Sequence, residues 1–183
     1  MAIALGLLLL TATILAMEAV AYAIHRWVMH SRLGWKLHQS HHRDRHGAFE
    51  ANDLYAVIFA APSIALIYSG FQGFTGSWAI WVGAGVAAYG AIYFGFHDVI
   101  VHRRLAHRIV PRSAWFKRIV QAHRLHHAVE SRDGGISFGF LWAPPVERLK
   151  AVLAERHHAG VRAPKGPRLD AVDESTSQSA RSS

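Results

Sequence analysis

Charged residues leave three long gaps in this chain. Residues 2–24 hold a single charged side chain, Glu18, and residues 54–71 and 78–96 hold none. At about 1.5 Å per residue, the first and third gaps can cross a hydrocarbon core of roughly 30 Å, and the second lies near the lower limit of about 17 residues. The first is too long for the apolar part of a signal peptide and lacks a basic start, so it is expected to be retained. The fold class this predicts is all-α: an integral membrane helical bundle of three to four spanning helices carrying a His-rich metal-binding cap. In the third gap, Ala79, Gly83, Ala87, Ala91 and Gly95 recur four apart. Such a stripe lets another backbone approach closely, which is how helices pack in lipid.

Between and after the gaps the pattern turns polar. Residues 31–53 form one such segment. Pro111-Arg-Ser113 reads as a stop followed by an N-cap. Trp115, Phe116, Ile119 and Val120 then recur at helical spacing beside Lys117, Arg118 and Arg124, predicting an interfacial helix that ends near Glu130. Asp133-Gly134-Gly135 is a turn, and residues 136–146 are apolar for only half a span, hence re-entrant or surface-lying. From about residue 159 onward Pro, Gly, Ser and charges dominate. This divides the chain into a membrane domain, residues 1–158, and a disordered tail, residues 159–183.

The formal charge of +8 is placed unevenly. Arg26, Arg32, Lys36, Arg43 and Arg45 follow the first gap, and Arg103, Arg104, Arg108, Arg112, Lys117, Arg118 and Arg124 follow the third, while residues 72–77 carry no charge. Basic short loops stay in the cytoplasm, so this predicts a multi-pass protein whose polar segments face that side. Topology accounts for the basicity without a nucleic-acid partner. The same arginines could also attract an acidic electron donor.

Histidine changes the picture most. The chain has 14 histidines and no cysteine, which rules out disulfides, thiolate zinc sites and iron–sulfur clusters. Ten histidines form a doubled pattern of HxxxxH followed by HxxHH: His25, His30, His38, His41 and His42, then His97, His102, His123, His126 and His127. On an α-helix, positions i, i+3 and i+4 fall within an arc of about 100°, so each HxxHH triplet is expected on one helix face. Residues i and i+5 lie roughly 140° apart; each HxxxxH pair therefore reaches around a shared centre or serves different metals. Ten imidazoles suit two ions of about five ligands each, with a position left for a small molecule such as O2. Imidazole does not by itself choose among zinc, copper, iron and nickel. His46, His107, His157 and His158 lie in basic stretches and read as solvated.

Four further residues are candidates for orienting the ligands. Glu18 is an ionisable group inside a span, costly and usually functional; it shares a helical face with His25, with Tyr22 between them, and either orients a ligand, bonds Tyr22 or makes an interhelical contact. Asp98 adjoins His97 and Asp133 follows the last triplet, and either could hold an imidazole through its free nitrogen.

Over roughly residues 17–158 the chain resembles the bacterial β-carotene hydroxylases within the membrane fatty acid hydroxylase superfamily. The match includes Met17-Glu18, His25-Arg26, Met29-His30, both HxxHH triplets, Gly47-Ala-Phe-Glu-x-Asn-Asp-Leu-Tyr-Ala-Val57 and Ser137-Phe-Gly-Phe-Leu-x-Ala-Pro-Pro145. The histidine boxes indicate the superfamily; the last two stretches are more specific. The resemblance implies a non-haem di-iron monooxygenase of the bacterial inner membrane, with two iron ions at a cytoplasmic site. Its implied substrate is β-carotene, hydroxylated at C3 of each β-ionone ring to β-cryptoxanthin and zeaxanthin with O2 and electrons from ferredoxin or an equivalent reductase. The chain has no GxGxxG following a strand and no cysteine, so it carries no recognisable nicotinamide or flavin site and no iron–sulfur centre of its own. Two other readings stand beside this one: hydroxylation of another lipid, such as a fatty acyl chain, sterol or ketocarotenoid, and a His-rich metal-binding or transport protein, which would place its ligands near the bilayer midplane.

Overall fold

The structure is a computed structural model, and it describes residues 2–43 and 47–156. The expected tail, with His157 and His158, lies outside these residues, as does His46. Among the described residues there is no β-strand. Helix α1, Ile3–Ala23, leads into a short α2, Trp35–His38; α3, Leu54–Phe71, and α4, Trp78–Tyr93, form a hairpin; α5, Ala114–His127, and α6, Val146–Glu155, complete the fold. Three helical stretches are long and apolar enough to cross a membrane: Ile3–Met29, Ala51–Phe71 and Trp78–Val101. Of the three or four spans expected, the structure therefore has three. Residues 136–145 are an irregular strap rather than a fourth helix.

The outside of the bundle is as apolar as its inside. Leu15, Val57 and Ile64 are each at least 60% exposed, as expected where lipid rather than water surrounds them. No hydrophobic effect then drives helix against helix, and close backbone approach supplies the contact. A Cβ on Gly83 would sit 2.8 Å from the Ser63 carbonyl and 2.7 Å from Ile67 Cγ1, and one on Gly85 would sit 2.6 Å from Thr13 Cβ. Through these two glycines α4 docks on α3 and on α1 at once. Ser63 Oγ adds a hydrogen bond to the Gly83 carbonyl at 2.8 Å. Of the expected stripe, Ala79 and Gly83 are buried in this contact, whereas Ala87 and Ala91 are exposed.

Beyond the spans, Ser113 caps α5 as expected, its Oγ accepting the Phe116 N–H at 3.2 Å. Ile119 and Val120 of α5 are buried, while Trp115 stays half out and donates to the Leu141 carbonyl at 3.1 Å. A small core of Ala122, Val129, Ile136, Ala143, Leu149 and Leu153 joins α5, the strap and α6.

At their histidine ends α1 and α4 change pitch. Ile24–Met29 and Phe94–Val101 are π-helical, with His30 N bonded to the His25 carbonyl at 3.2 Å and His102 N to that of His97 at 3.0 Å. This i→i+5 geometry is rare and concentrates at functional sites.

The glycine contacts carry a prediction. Gly83→Ala should lower the thermal stability of the detergent-solubilised protein by about 1–3 kcal/mol of overpacking, while Gly95→Ala, whose added Cβ meets nothing within 4 Å, should leave the melting temperature unchanged or higher. Equal melting of the two variants would contradict the close approach of α3 and α4.

Candidate metal centre

The two π-turns place His25 under His30 and His97 under His102, because a residue five positions on comes round to the same side when hydrogen bonds run i→i+5. The 140° separation expected of an α-helix is thus removed, and each HxxxxH pair shares one centre. All ten histidines of the doubled pattern come together in two groups: His25, His30, His38, His42 and His126; and His41, His97, His102, His123 and His127. Within each group the facing ring nitrogens lie within 4.8 Å of one another.

The triplets do not stay whole. His41 leaves His38 and His42 to join the second group, and His126 leaves His123 and His127 to join the first. The physical reason is the width of the arc. On α5, i+3 and i+4 lie on opposite sides of residue i and about 100° from each other. A helix running along the boundary between two centres therefore offers His126 to one and His123 and His127 to the other. The α2 triplet divides because helix α2 ends at His38, and His41 and His42 follow in turns.

The ring nitrogens show what these groups require. His25 Nδ1 is 2.9 Å from the Phe138 carbonyl oxygen and His42 Nδ1 is 2.8 Å from that of Val129. A carbonyl only accepts, so Nδ1 carries the proton and Nε2 keeps its lone pair. His38 Nδ1 donates to Asn52 Oδ1 at 2.7 Å, which leaves it the same tautomer. Yet His38 Nε2 lies 3.2 Å from both His25 Nε2 and His42 Nε2: three acceptors face one another with no proton between them. His30 Nδ1 donates to the Arg132 carbonyl at 2.8 Å and His126 Nδ1 to that of Ile136. Their Nε2 atoms are buried without a hydrogen-bond partner among the described residues. In the second group His41 Nδ1 donates to Glu50 Oε2 at 2.9 Å and His97 Nδ1 to Asp98 Oδ2 at 3.3 Å, and their Nε2 atoms face each other at 2.9 Å.

Such a set of converging lone pairs could hold a metal ion. With metal–imidazole bonds of about 2.1 Å, neighbouring ligands of an octahedral ion stand about 3 Å apart and opposite ones about 4.2 Å, which matches the spacing here. Burial also keeps the rings in the form that binds metal. It holds His38 down at about 4 and, helped by the adjacent His38, His42 at about 3. His41, His123, His126 and His127 are likewise pushed well below the ordinary histidine value, burial first and neighbouring imidazoles second.

A fatty acid hydroxylase family model matches residues 10–149. The chain belongs to the fatty acid hydroxylase family. Within that family it is 52% identical over 153 residues to a β-carotene hydroxylase of Pantoea ananas, covering 83% of this chain and 85% of that one. It is 47% identical over 161 residues to a β-carotene hydroxylase of Paracoccus sp. (strain PC1), covering 88% and 96%. A chloroplastic β-carotene hydroxylase of Capsicum annuum is 36% identical over 143 residues, 77% of this chain and 44% of that longer one. No solved structure matches the chain.

In this member of the family the four residues expected to orient ligands fare differently. Asp98 does contact an imidazole, that of His97. Glu18 does not bond Tyr22. Its Oε1 accepts the backbone N–H groups of Phe140 and Leu141, both at 2.9 Å, and its Oε2 accepts the Tyr89 hydroxyl at 2.8 Å. It fixes the strap whose Ile136 and Phe138 carbonyls hold His126 and His25, so it acts on the ligands through the backbone. The Tyr22 hydroxyl instead accepts from Arg26 at 2.7 Å, and its ring packs edge-on against Phe138. Asp133 touches no imidazole; it is 79% exposed and pairs with Arg132 at 2.8 Å, and the contact to His30 comes from the Arg132 carbonyl. His107 stands apart from both groups, its Nδ1 accepting the Ile109 N–H at 3.1 Å.

Sequence reasoning passed over Glu50 and Asn52, although both sit in the stretch of residues 47–57 that carried the resemblance. Arg104 was read as a surface arginine facing an electron donor. It is instead mostly buried and pairs with Asp53 at 2.7 Å, Asp98 at 3.2 Å and Glu50 at 3.5 Å. That places it between the two carboxylates that hold His41 and His97. A cavity of about 440 Å³ lies between α1, α3 and α4 and ends against this centre, with His25, Asp98, Tyr93 and Phe140 in its wall.

Two predictions follow from this geometry. Glu18→Ala should loosen the strap, removing charge-assisted hydrogen bonds worth roughly 1.5–3 kcal/mol each, and metal retention on dialysis should fall, whereas Glu18→Gln, which keeps an acceptor at Oε1, should retain most of it. Retention identical to the parent in Glu18→Ala would remove the strap from the site. The second concerns acid. Unfolded, His38 and His42 titrate near about 6.5, so below that pH the unfolded chain binds more protons than the folded one. Their stabilising contribution is complete above about 6.5, declines as pH falls, and is lost once the folded values of about 4 and about 3 are passed. Chelator-treated protein should therefore melt at progressively lower temperature between pH 7 and 4; a flat or rising profile would contradict the buried neutral rings.

Proposed function

We propose that this chain is a membrane β-carotene hydroxylase that holds two iron ions, one in each group of five imidazoles, and hydroxylates C3 of β-ionone rings to give β-cryptoxanthin and then zeaxanthin. The observation that carries this reading is the convergence of unprotonated Nε2 atoms in two adjacent groups, in a chain similar over most of its length to β-carotene hydroxylases. In the overall reaction one oxygen atom of O2 enters a C–H bond and the other leaves as water, with two electrons and two protons consumed.

When bound, iron would supply the redox chemistry that activates O2. The chain's own part is to hold and enclose. Carbonyl and amide oxygens lock the five rings of the first group, and Glu50 and Asp98 accept the Nδ1 protons of His41 and His97, which strengthens those rings as donors. Phe140 stacks on His25 at 5.8 Å between ring centroids, and Tyr93 lies over His97 at 4.5 Å. These two aromatic rings stand with His25 where the apolar cavity meets the site and keep water away from the reacting C–H bond.

Electrons come from a separate donor, ferredoxin or an equivalent reductase, since the chain has no cysteine and no nucleotide-binding motif. Arg103, Arg108, Arg112 and Lys117 are exposed near the second group and suit an acidic partner. The basic loops support a cytoplasmic face for the site in a bacterial inner membrane. Ligands at helix ends rather than mid-span argue against a metal transporter.

Expression in cells that accumulate β-carotene, with chromatography of the pigments, tests the substrate. Mono- and dihydroxylated pigment should appear, and purified protein should hold about two irons per chain, one per imidazole group. His41→Ala and His126→Ala, one from each group, should each abolish the product while the protein still inserts. Unchanged pigment with hydroxylation of a defined fatty acyl lipid or sterol would redirect the substrate, and one iron per chain would end the two-ion reading.

A further inference from the structure

The cavity of about 440 Å³ reaches the imidazole groups at one end through His25 and runs from Asn52 and Tyr55 to Ile67 along α3. Tyr55 to Ile67 spans about 18 Å at the helical rise, so the space is elongated along the helices and reaches well into the bilayer. Its polar lining is concentrated at the metal end, in Asn52, Asp53, His25 and Asp98, and the remainder is almost wholly apolar. The volume falls within the range of roughly 300–1,000 Å³ typical of small-molecule sites.

One wall is missing. Ala56 and Ala60 of α3 and Ala87 and Gly90 of α4 line the cavity and are also exposed on the outside of the bundle. The α3–α4 hairpin is tight at its far end, where Gly83 meets Ser63 and Ile67, whereas toward the metal end the cavity-lining residues of the two helices include the small Ala56, Ala60, Ala87 and Gly90. Gly90 is the telling position. A glycine within a helix costs about 1 kcal/mol relative to alanine, and Gly83 and Gly85 have close packing to justify it. Gly90 does not: a Cβ there meets nothing within 4 Å, and its φ lies outside the left-handed region. A side chain there would extend into open space at the cavity's edge.

We propose that α3 and α4 are parted here by a lateral slot through which the substrate passes from the bilayer into the cavity, ring end first, with Ala60 and Gly90 setting what can pass. The occupant is an elongated apolar molecule of the carotenoid class, an assignment that rests on the function proposed above. An all-carbon polyene is dissolved in the hydrocarbon core, so a passage between spanning helices spares it any transit through water. The end carbon that reaches His25, Tyr93 and Phe140 is the one placed for hydroxylation, and the rest of the molecule remains between α3 and α4 or in lipid.

Gly90→Leu and Ala60→Leu place bulk in the slot, and Ala65→Leu places the same bulk on an exposed α3 position that does not line the cavity. Each full-length variant is purified with iron into lipid bicelles, its iron content and melting temperature are measured, and its uptake of β-carotene is read from the absorbance of protein-bound pigment. The expected result is parental iron and melting in all three, pigment binding and ring hydroxylation reduced at least tenfold in Gly90→Leu and Ala60→Leu, and both preserved in Ala65→Leu. Parental binding in the two slot variants would overturn the proposal, and so would equal loss in Ala65→Leu, which would make bulk at the lipid surface the cause. A parent that binds pigment through the slot but forms no hydroxylated product would leave the slot standing and overturn the function.

Discussion

Imidazole lone pairs aimed at one another at about 3 Å repel unless positive charge lies between them, and a ring keeps its inward nitrogen unprotonated when its other nitrogen has an acceptor for the proton, as seven of the ten rings have here. This second condition governs the polar half of the molecule. The strap, the turn after α5 and the segment before α3 look irregular until their oxygens are considered. The Val129, Arg132, Ile136 and Phe138 carbonyls, the Asn52 amide and the Glu50 and Asp98 carboxylates each accept from one ring. Residues 129–138 alone supply four of these oxygens. Apart from one 3-10 turn at Arg132–Gly134 the segment is irregular, which leaves its carbonyls free for the rings, since a continuous helix would consume its own. Ser137 shows the conformational cost: its φ of 55° is uncommon for a residue with a side chain, and it stands between the two carbonyls that hold His126 and His25.

The two groups differ in the character of these outer oxygens. Those described around the first group are neutral. Around the second stand two carboxylates, themselves held by Arg104 together with Asp53. An imidazole that donates to a carboxylate is a stronger ligand than one that donates to a carbonyl, so the protein offers unequal environments to two otherwise similar centres. The spanning helices obey a different rule. Lipid gives them no hydrophobic reason to associate, and they meet through Gly83 and Gly85.

The spans and the ten-histidine set were legible because both rest on composition and short spacing: residues 2–24, 54–71 and 78–96 have no other fate than helix in lipid, and the doubled HxxxxH and HxxHH pattern names its own members. The partition between two centres was not legible. It depends on a π-turn, which nothing in His25-Arg-Trp-Val-Met-His30 announces, and on where α5 lies relative to both centres, which is a tertiary fact. The carbonyl acceptors were invisible for a plainer reason, since every residue has a carbonyl. Glu18 stood out as a costly charge in a span; of the readings open to it, the bond to Tyr22 is absent and the interhelical contact is present, to Tyr89 of α4, while its other partners, Phe140 and Leu141, are more than a hundred residues away. Glu50 and Asn52 could have been found by asking which polar side chains lie near enough in sequence to reach an HxxHH box.

His41 and His126 each cross to the group built mainly by the other half of the chain. The exchange is reciprocal, and it works like a clasp whose two hooks pass through each other. Neither half, severed from its counterpart, retains a complete five-nitrogen set, so a fragment ending between α3 and α4 would lack His126 and one beginning there would lack His41. An ion seated in the first group would tie α1 and α2 to α5, and one in the second would tie the turn after α2 to the end of α4 and to α5. The tandem pattern in the sequence therefore does not describe two modules placed side by side. It describes one indivisible assembly.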